Sequence, residues 1–134
     1  MDGLFVCIDH VGLAVPDLDE AIKFHTEVMG WRVLHREENQ EQGVAEAMIG
    51  TGDQGPENAQ IQLLAPLNEK STIAKFIGRS GPGMQQLAYR VRDLDASLRF
   101  YRDGLGLRVV RSMDVPQGRF TLVYLAAPGD DQAQ

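Results

Sequence analysis

VPDLDEAIKFHTEVMGWRV, residues 15–33, is written a second time as VRDLDASLRFYRDGLGLRV, residues 91–109. The offset is a constant 76 residues, with 8 identities in 19. The match runs on without a gap in both directions. Upstream, CIDHVGLAV (7–15) meets GMQQLAYRV (83–91), which sets His10 against Gln86; downstream, Val44 meets Phe120. A period held this long marks a duplicated structural unit.

Each copy carries the same succession of signals. In CIDHVGLAV the side chains alternate, Val11, Leu13 and Val15 to one face and Ile8, His10, Gly12 and Ala14 to the other, which predicts a half-buried strand. Asp17, followed three residues later by Glu20, opens a helix with a capping box. Ala21, Ile22, His25, Val28 and Met29 recur at helical spacing as its apolar stripe, and Gly30 closes it. Strands follow at WRVLHREE, VAEAMIG and AQIQLLAP, and a short helix at STIAKFIG. The second copy supplies QQLAYRV, DLDASLRFYRDGLG, LRVVRSMD and RFTLVYLA, and its last strand is short or absent. The expected fold is α+β: two tandem β-α-β-β-β modules, residues 1–67 and 83–134, joined by a linker over 68–82.

Composition limits the function classes. The 134 residues are 43% hydrophobic and 24% charged, enough for a sizeable core. A formal net charge of −6 opposes a general nucleic-acid or anionic-membrane surface. Basic residues do cluster locally, at Lys70, Lys75 and Arg79 and at Arg90, Arg92 and Arg99, where a small anionic ligand would meet them. No apolar run reaches the roughly 20 residues of a bilayer crossing, and the start lacks the pattern of a secretory signal. Cys7 is the single cysteine, which fits a reducing cytoplasm and a packing role.

Two such modules curl into half-cups around a polar hollow, so polar side chains on inward strand faces are the informative ones. His10 sits among the small residues Gly12 and Ala14, with Gln86 at the matching position of the second copy. Gln62 interrupts IQLLAP and Glu46 interrupts VAEAMIG. Singly, each has a structural reading: a hydrogen-bonded strand histidine, a backbone-satisfied glutamine, a solvated glutamate. Together, imidazole, amide and carboxylate donors suit a borderline or hard divalent ion such as Zn, Co, Ni, Mn or Mg. His35 and His25 read as an exposed polar residue and a packing residue.

The strings IDHVGLAVPDLDEAIKF, HREENQEQGVAEAM, IQLLAPL and IAKFIGRSGPG resemble the vicinal-oxygen-chelate superfamily, and within it the methylmalonyl-CoA epimerases. The resemblance implies a metal held by a histidine of the first strand, a glutamine of the fourth, a histidine opening the second module and a glutamate on its last strand. His10 and Gln62 match two of these, and Glu46 matches the family's catalytic glutamate. Gln86 stands where that family has histidine, and the last glutamate has no residue to match it. The second module, QQLAYRVRDLDASLRFYRDGLGLRVV with DVPQGRFTLVYLA, is similar instead to the opening module of glyoxalase I. In eukaryotic-type members of that family a glutamine on the corresponding strand is a metal ligand.

The resemblance therefore implies a divalent metal on His10, Gln62 and Gln86, with Glu46 as base. It implies a malonyl-type acyl-CoA or similar thioester substrate. The single cysteine, the net charge and the commonness of two-fold assemblies add the expectation of a cytoplasmic homodimer with no nucleic-acid or membrane partner. The alternatives are a glyoxalase I-like lactoylglutathione lyase and a non-catalytic small-molecule binder.

Overall fold

The strand-helix-strand-strand-strand order expected from the repeat is the order found in the first copy, over residues 5–66. The computed structural model describes residues 4–52, 58–104, 108–115 and 120–126. They divide into two compact units, Phe5–Arg90 and a second formed by Val91 onward together with Leu4.

The first unit is built on a five-stranded sheet. Its strands are β1 (Phe5–Ala14), β2 (Arg32–Asn39), β3 (Val44–Gly50), β4 (Gln60–Pro66) and β5 (Gly83–Val91), in the order β2-β3-β4-β1-β5. β1 runs parallel to β4, while β2–β3 and β3–β4 are antiparallel. The strand that opens the second sequence copy thus completes the sheet of the first.

The helix α1 (Leu18–Lys23) starts where its capping residue dictates. The Asp17 side chain accepts from the Glu20 amide at 3.1 Å, satisfying a donor that the first turn leaves open. Its Leu18, with Ala21 and Ile22 alongside, packs on Ala45, Ala47, Ile49, Leu63 and Ala65. Ile49 and Leu63 are wholly buried, each contributing roughly 1.5–3 kcal/mol by leaving water. This apolar layer covers one face of the sheet. The helix α2 (Thr72–Ser80), capped by Ser71 on the Ala74 amide, touches the opposite face only at one end. There Ile73, Phe76 and Ile77 meet Ala14, Val44 and Leu64.

β3 records the two environments residue by residue. Ala45, Ala47 and Ile49 are buried under α1, whereas Glu46 and Met48, pointing the other way, are half-open.

The expected apolar stripe of α1 needs a correction. Only Ala21 and Ile22 pack on the core; Val28 is 69% and Met29 43% exposed. The chain widens from an α- to a π-helix over Phe24–Val28. A wider turn advances each residue by a smaller angle, so the last turn rotates off the 3.6-residue stripe. Gly30 does end the segment, at φ 74°.

The second unit repeats this grammar. Asp93 caps α3 (Leu94–Leu98) with φ −136° and ψ 107°, against −137° and 113° at Asp17. A π-helical turn, Arg99–Gly104, again follows. β6 (Arg108–Val115) and β7 (Phe120–Ala126) form an antiparallel pair. Its register slips between Val109 and Arg111, as β2–β3 slips between Val33 and His35, at the same offset of 76. The expectation for the last strand of this module falls outside the described residues.

Candidate active site

The sheet face not covered by α1 carries the polar residues singled out in the sequence. Gly12 on β1 is in register with Gln62 on β4, and Glu46 on β3 with Leu64 two residues along β4. Parallel and antiparallel partners point to the same side, so His10, Gly12, Gln62 and Glu46 share one face. Gln86 on β5 reaches this row by lying across Gly12: a Cβ there would overlap Gln86 Cγ and stand 3.1 Å from its Cδ and Nε2.

The amides then join end to end. Gln86 Nε2 donates to Gln62 Oε1 at 2.6 Å, and Gln62 Nε2 donates to Glu46 Oε2 at 3.0 Å. A donor-to-acceptor line therefore runs from β5, over β1, through β4 to β3. Three of the four residues expected at the site are connected directly. The fourth, His10, stands two residues from Gly12 on the same face of β1, with 14% of its side chain exposed.

Three further groups govern the electrostatics, of which sequence alone had marked only Arg90, and that as part of a basic cluster. Asp9 receives His10 Nδ1 at 2.8 Å and Arg90 at 2.6 Å from one guanidinium nitrogen and 3.1 Å from Nε. The His10 hydrogen bond, followed by that of Arg90, holds the Asp9 carboxyl at about 2, below its ordinary 3.8. An ionised carboxylate only accepts, so the proton between them belongs to Nδ1, and a neutral ring then has its lone pair on Nε2.

Glu37, across from Glu46 on β2, is the third group. Burial pushes the Glu46 carboxyl up to about 7, and the hydrogen bond and charge of Glu37 push the same way. The Gln62 amide offsets part of that rise. Glu37, the exposed member, is lowered by its bond to Glu46 and by His35, whose Nε2 lies 3.2 Å away. Two like charges at one register position cannot both be comfortable, so the buried carboxyl is the one that holds its proton to higher pH. A register signal for Glu37 was present in HREENQEQGVAEAM, but only once the β2–β3 turn was fixed.

The donor chemistry can be tested against a divalent ion. Among the described residues, no group of three or more His, Cys, Asp or Glu side chains converges as a metal site. A site on this face therefore depends on amide oxygens. His10 offers a carboxylate-backed imidazole, the arrangement common in metal-ligating histidines. Gln62 and Gln86 bring amide ends together at 2.6 Å. Turning the Gln86 amide end for end gives up that hydrogen bond and sets two carbonyl oxygens face to face, an arrangement that a cation between them makes favourable. The donor types on this face, one imidazole and two amide oxygens, are ones that such an ion accepts.

A family model described as Glyoxalase/Bleomycin resistance protein/Dioxygenase superfamily matches residues 9–124. The chain belongs to this superfamily. Within the superfamily, it is 33% identical over 109 residues to the ethylmalonyl-CoA/methylmalonyl-CoA epimerase of Cereibacter sphaeroides, covering 78% of this chain and 75% of that one. The solved methylmalonyl-CoA epimerase of Mycobacterium tuberculosis superimposes with a TM-score of 0.76 at 41% identity, over 94% of this chain and 82% of that one. A variant of the Streptomyces coelicolor epimerase, in complex with 2-nitronate-propionyl-CoA, gives 0.75 at 32% identity over 91% and 88%. Similarity to lactoylglutathione lyases is also present. The chain spans about half the length, 49%, of the mammalian mitochondrial epimerases that it matches. The superfamily's α+β fold is thus the fold of this chain, as its sequence led one to expect.

Proposed function

We propose that the chain is a divalent-metal-dependent epimerase of a malonyl-type acyl-CoA, acting through proton abstraction next to the thioester carbonyl. The observation that carries this is the joined row Gln86–Gln62–Glu46 beside a carboxylate-backed His10, on a face that α1 leaves open. The epimerase relatives, one of them holding an acyl-CoA analogue, support the substrate class.

His10 through Nε2, and Gln62 and Gln86 through their amide oxygens, would hold the cation. When bound, it supplies Lewis acidity toward the thioester and carboxylate oxygens of the substrate. All three protein donors are neutral, so the ligand set itself adds no negative charge against that of the substrate. Glu46, anchored by the Gln62 amide, is the base that takes the α-proton. Its partly desolvated position makes its ionised form more basic than a free carboxylate, which suits removal of a weakly acidic proton near neutral pH. Inversion needs an acid on the opposite face, and no described residue is assigned that role. Lys75 and Arg79, exposed on α2, would meet the CoA phosphates.

The test is solvent deuterium exchange at the α-carbon of methylmalonyl-CoA, run on protein of measured metal content. Exchange with inversion, lost in Glu46→Gln, is expected. Absence of exchange in protein loaded with Co2+, Zn2+, Ni2+, Mn2+ or Mg2+ would refute the proposal. The lyase relatives and the amide at position 86 favour one second reading, isomerisation of a glutathione hemithioacetal by the same base. Turnover of the methylglyoxal–glutathione adduct would select it. A metal-free chain with neither activity would instead fit a non-catalytic binder.

A further inference from the structure

His10 cannot set its own tautomer. An isolated neutral imidazole carries its proton on either nitrogen, and which one is free to donate electrons is decided by the hydrogen bond that the other makes. Here that bond goes to the preceding residue, Asp9, at 2.8 Å. Consecutive strand residues normally point to opposite faces, so a side-chain bond between neighbours has to be maintained by something else. Arg90, on β5, provides it: one Asp9 oxygen, Oδ1, takes both the 2.6 Å and the 3.1 Å guanidinium contacts, and the other, Oδ2, takes His10. The two Asp9 oxygens therefore have separate tasks. Side-chain exposure falls from 45% at Arg90 to 34% at Asp9 and 14% at His10, so the line leads from solvent inward.

We infer that Asp9 and Arg90 are positioning residues for His10: Arg90 holds the Asp9 carboxylate against the ring, and Asp9 keeps the ring proton on Nδ1 so that Nε2 is the donor atom. This rests on the reading of His10 as a ligand given above, and adds two residues that act through it. It also gives β5 a double part. Through Gln86 it reaches Gln62, and through Arg90 it reaches Asp9, so the strand opening the second copy sets both ligands drawn from the first.

The competing account is a simple ion pair that ties β5 to β1. Long-range 1H–15N spectra of the metal-free chain separate the two, because a tie between strands has no effect on a tautomer. His25, whose Nδ1 bonds the Ala21 carbonyl at 2.7 Å, is the internal control. Wild type should show the His10 proton on Nδ1. Asp9→Ala should move it to Nε2 while His25 stays unchanged, and Co2+ affinity by calorimetry should fall about 10- to 100-fold. Arg90→Gln leaves the acceptor in place, so the tautomer should persist with a smaller loss of affinity.

A His10 proton that stays on Nδ1 in Asp9→Ala overturns the inference, and so does a switched tautomer with Co2+ affinity unchanged within about twofold, since it would remove the link to a ligand. Wild type that binds no Co2+, Zn2+ or Ni2+ counts against the proposed function instead. The tautomer readout then still decides, alone, whether Asp9 sets the ring.

Discussion

Adding one methyl group at Gly12 tests the architecture of the site more sharply than removing any ligand. Gly12 lies on a strand held between β4 and β5, so its backbone has no room to retreat. In Gly12→Ala the new Cβ overlaps Gln86 Cγ, which is near the root of that side chain and not its flexible end. Gln86 has to swing away, and its 2.6 Å bond to Gln62 breaks. The lost bond costs about 1 kcal/mol, and a half-buried Gln62 oxygen left unpaired costs about 1–3 kcal/mol if water does not reach it. Alanine in a strand recovers roughly 0.5–1 kcal/mol of backbone entropy. The net expectation is a destabilisation of about 1–3 kcal/mol, with a fall in melting temperature of roughly 3–5 °C per kcal/mol for a chain this long. Denaturant melts of Gly12→Ala, Gln86→Ala and the double variant isolate the cause. Truncating Gln86 removes the three atoms nearest the methyl group, so Gly12→Ala should be neutral or stabilising in that background. A coupling of about 1–3 kcal/mol is expected. Additive effects, within about 0.5 kcal/mol, would refute the placement of Gln86 across β1.

Further outcomes can be measured directly. In the metal-free chain, 13C-detected titration should place the Glu46 carboxyl near 7, and Glu37→Gln should bring it toward its ordinary 4.5. Because the folded value is raised, the associated stability is complete below 4.5 and is lost as pH climbs through about 7; Glu46→Gln should therefore flatten the decline seen in melts across that window. Asp9 has the opposite sign. Its folded value near 2 lies under the unfolded 3.8, so its contribution is present above 3.8 and disappears as pH falls through about 2. Solvent screening of a partly exposed group keeps that contribution to about 1 kcal/mol, and Asp9→Asn should erase it from an acid titration of stability. Ser71→Ala removes the cap of α2, buried and bonded to Ala74, at an expected cost of about 1 kcal/mol by chemical denaturation.

The duplication was visible because two signals outlast divergence: the Asp-Leu-Asp cap and the alternation of the opening strand. Asp17 and Asp93 do cap their helices with nearly the same backbone angles. Strand β3 was legible to the residue, since VAEAMIG is bounded by a turn on one side and a Gly-rich stretch on the other. The alternation of β1 placed His10 and Gly12 on one face, and Gln62 and Glu46 stood out as polar interruptions of apolar strands. Other features were hidden for physical reasons. A π-helical turn has no compositional mark, so Val28 and Met29 looked like core. Period-2 logic turns Asp9 away from His10 and cannot show a side chain bent back by a guanidinium 81 residues distant. The Glu37–Glu46 contact needs the β2–β3 register, which is set by where the turn after Asn39 closes and cannot be counted from spacing alone. Gly12 looked merely small; its use as a crossing point for Gln86 emerges only when β5 is set beside β1.

The slip in the hairpin at Val33–His35 and its twin at Val109–Arg111 date one another. An irregularity shared at the same offset by both halves is most simply inherited, so the ancestral half-length polypeptide already had this kink before it was doubled. The same holds for the widened turns at Phe24–Val28 and Arg99–Gly104. What diverged afterwards was the chemistry at His10 and Gln86, on a scaffold whose defects had been handed down intact.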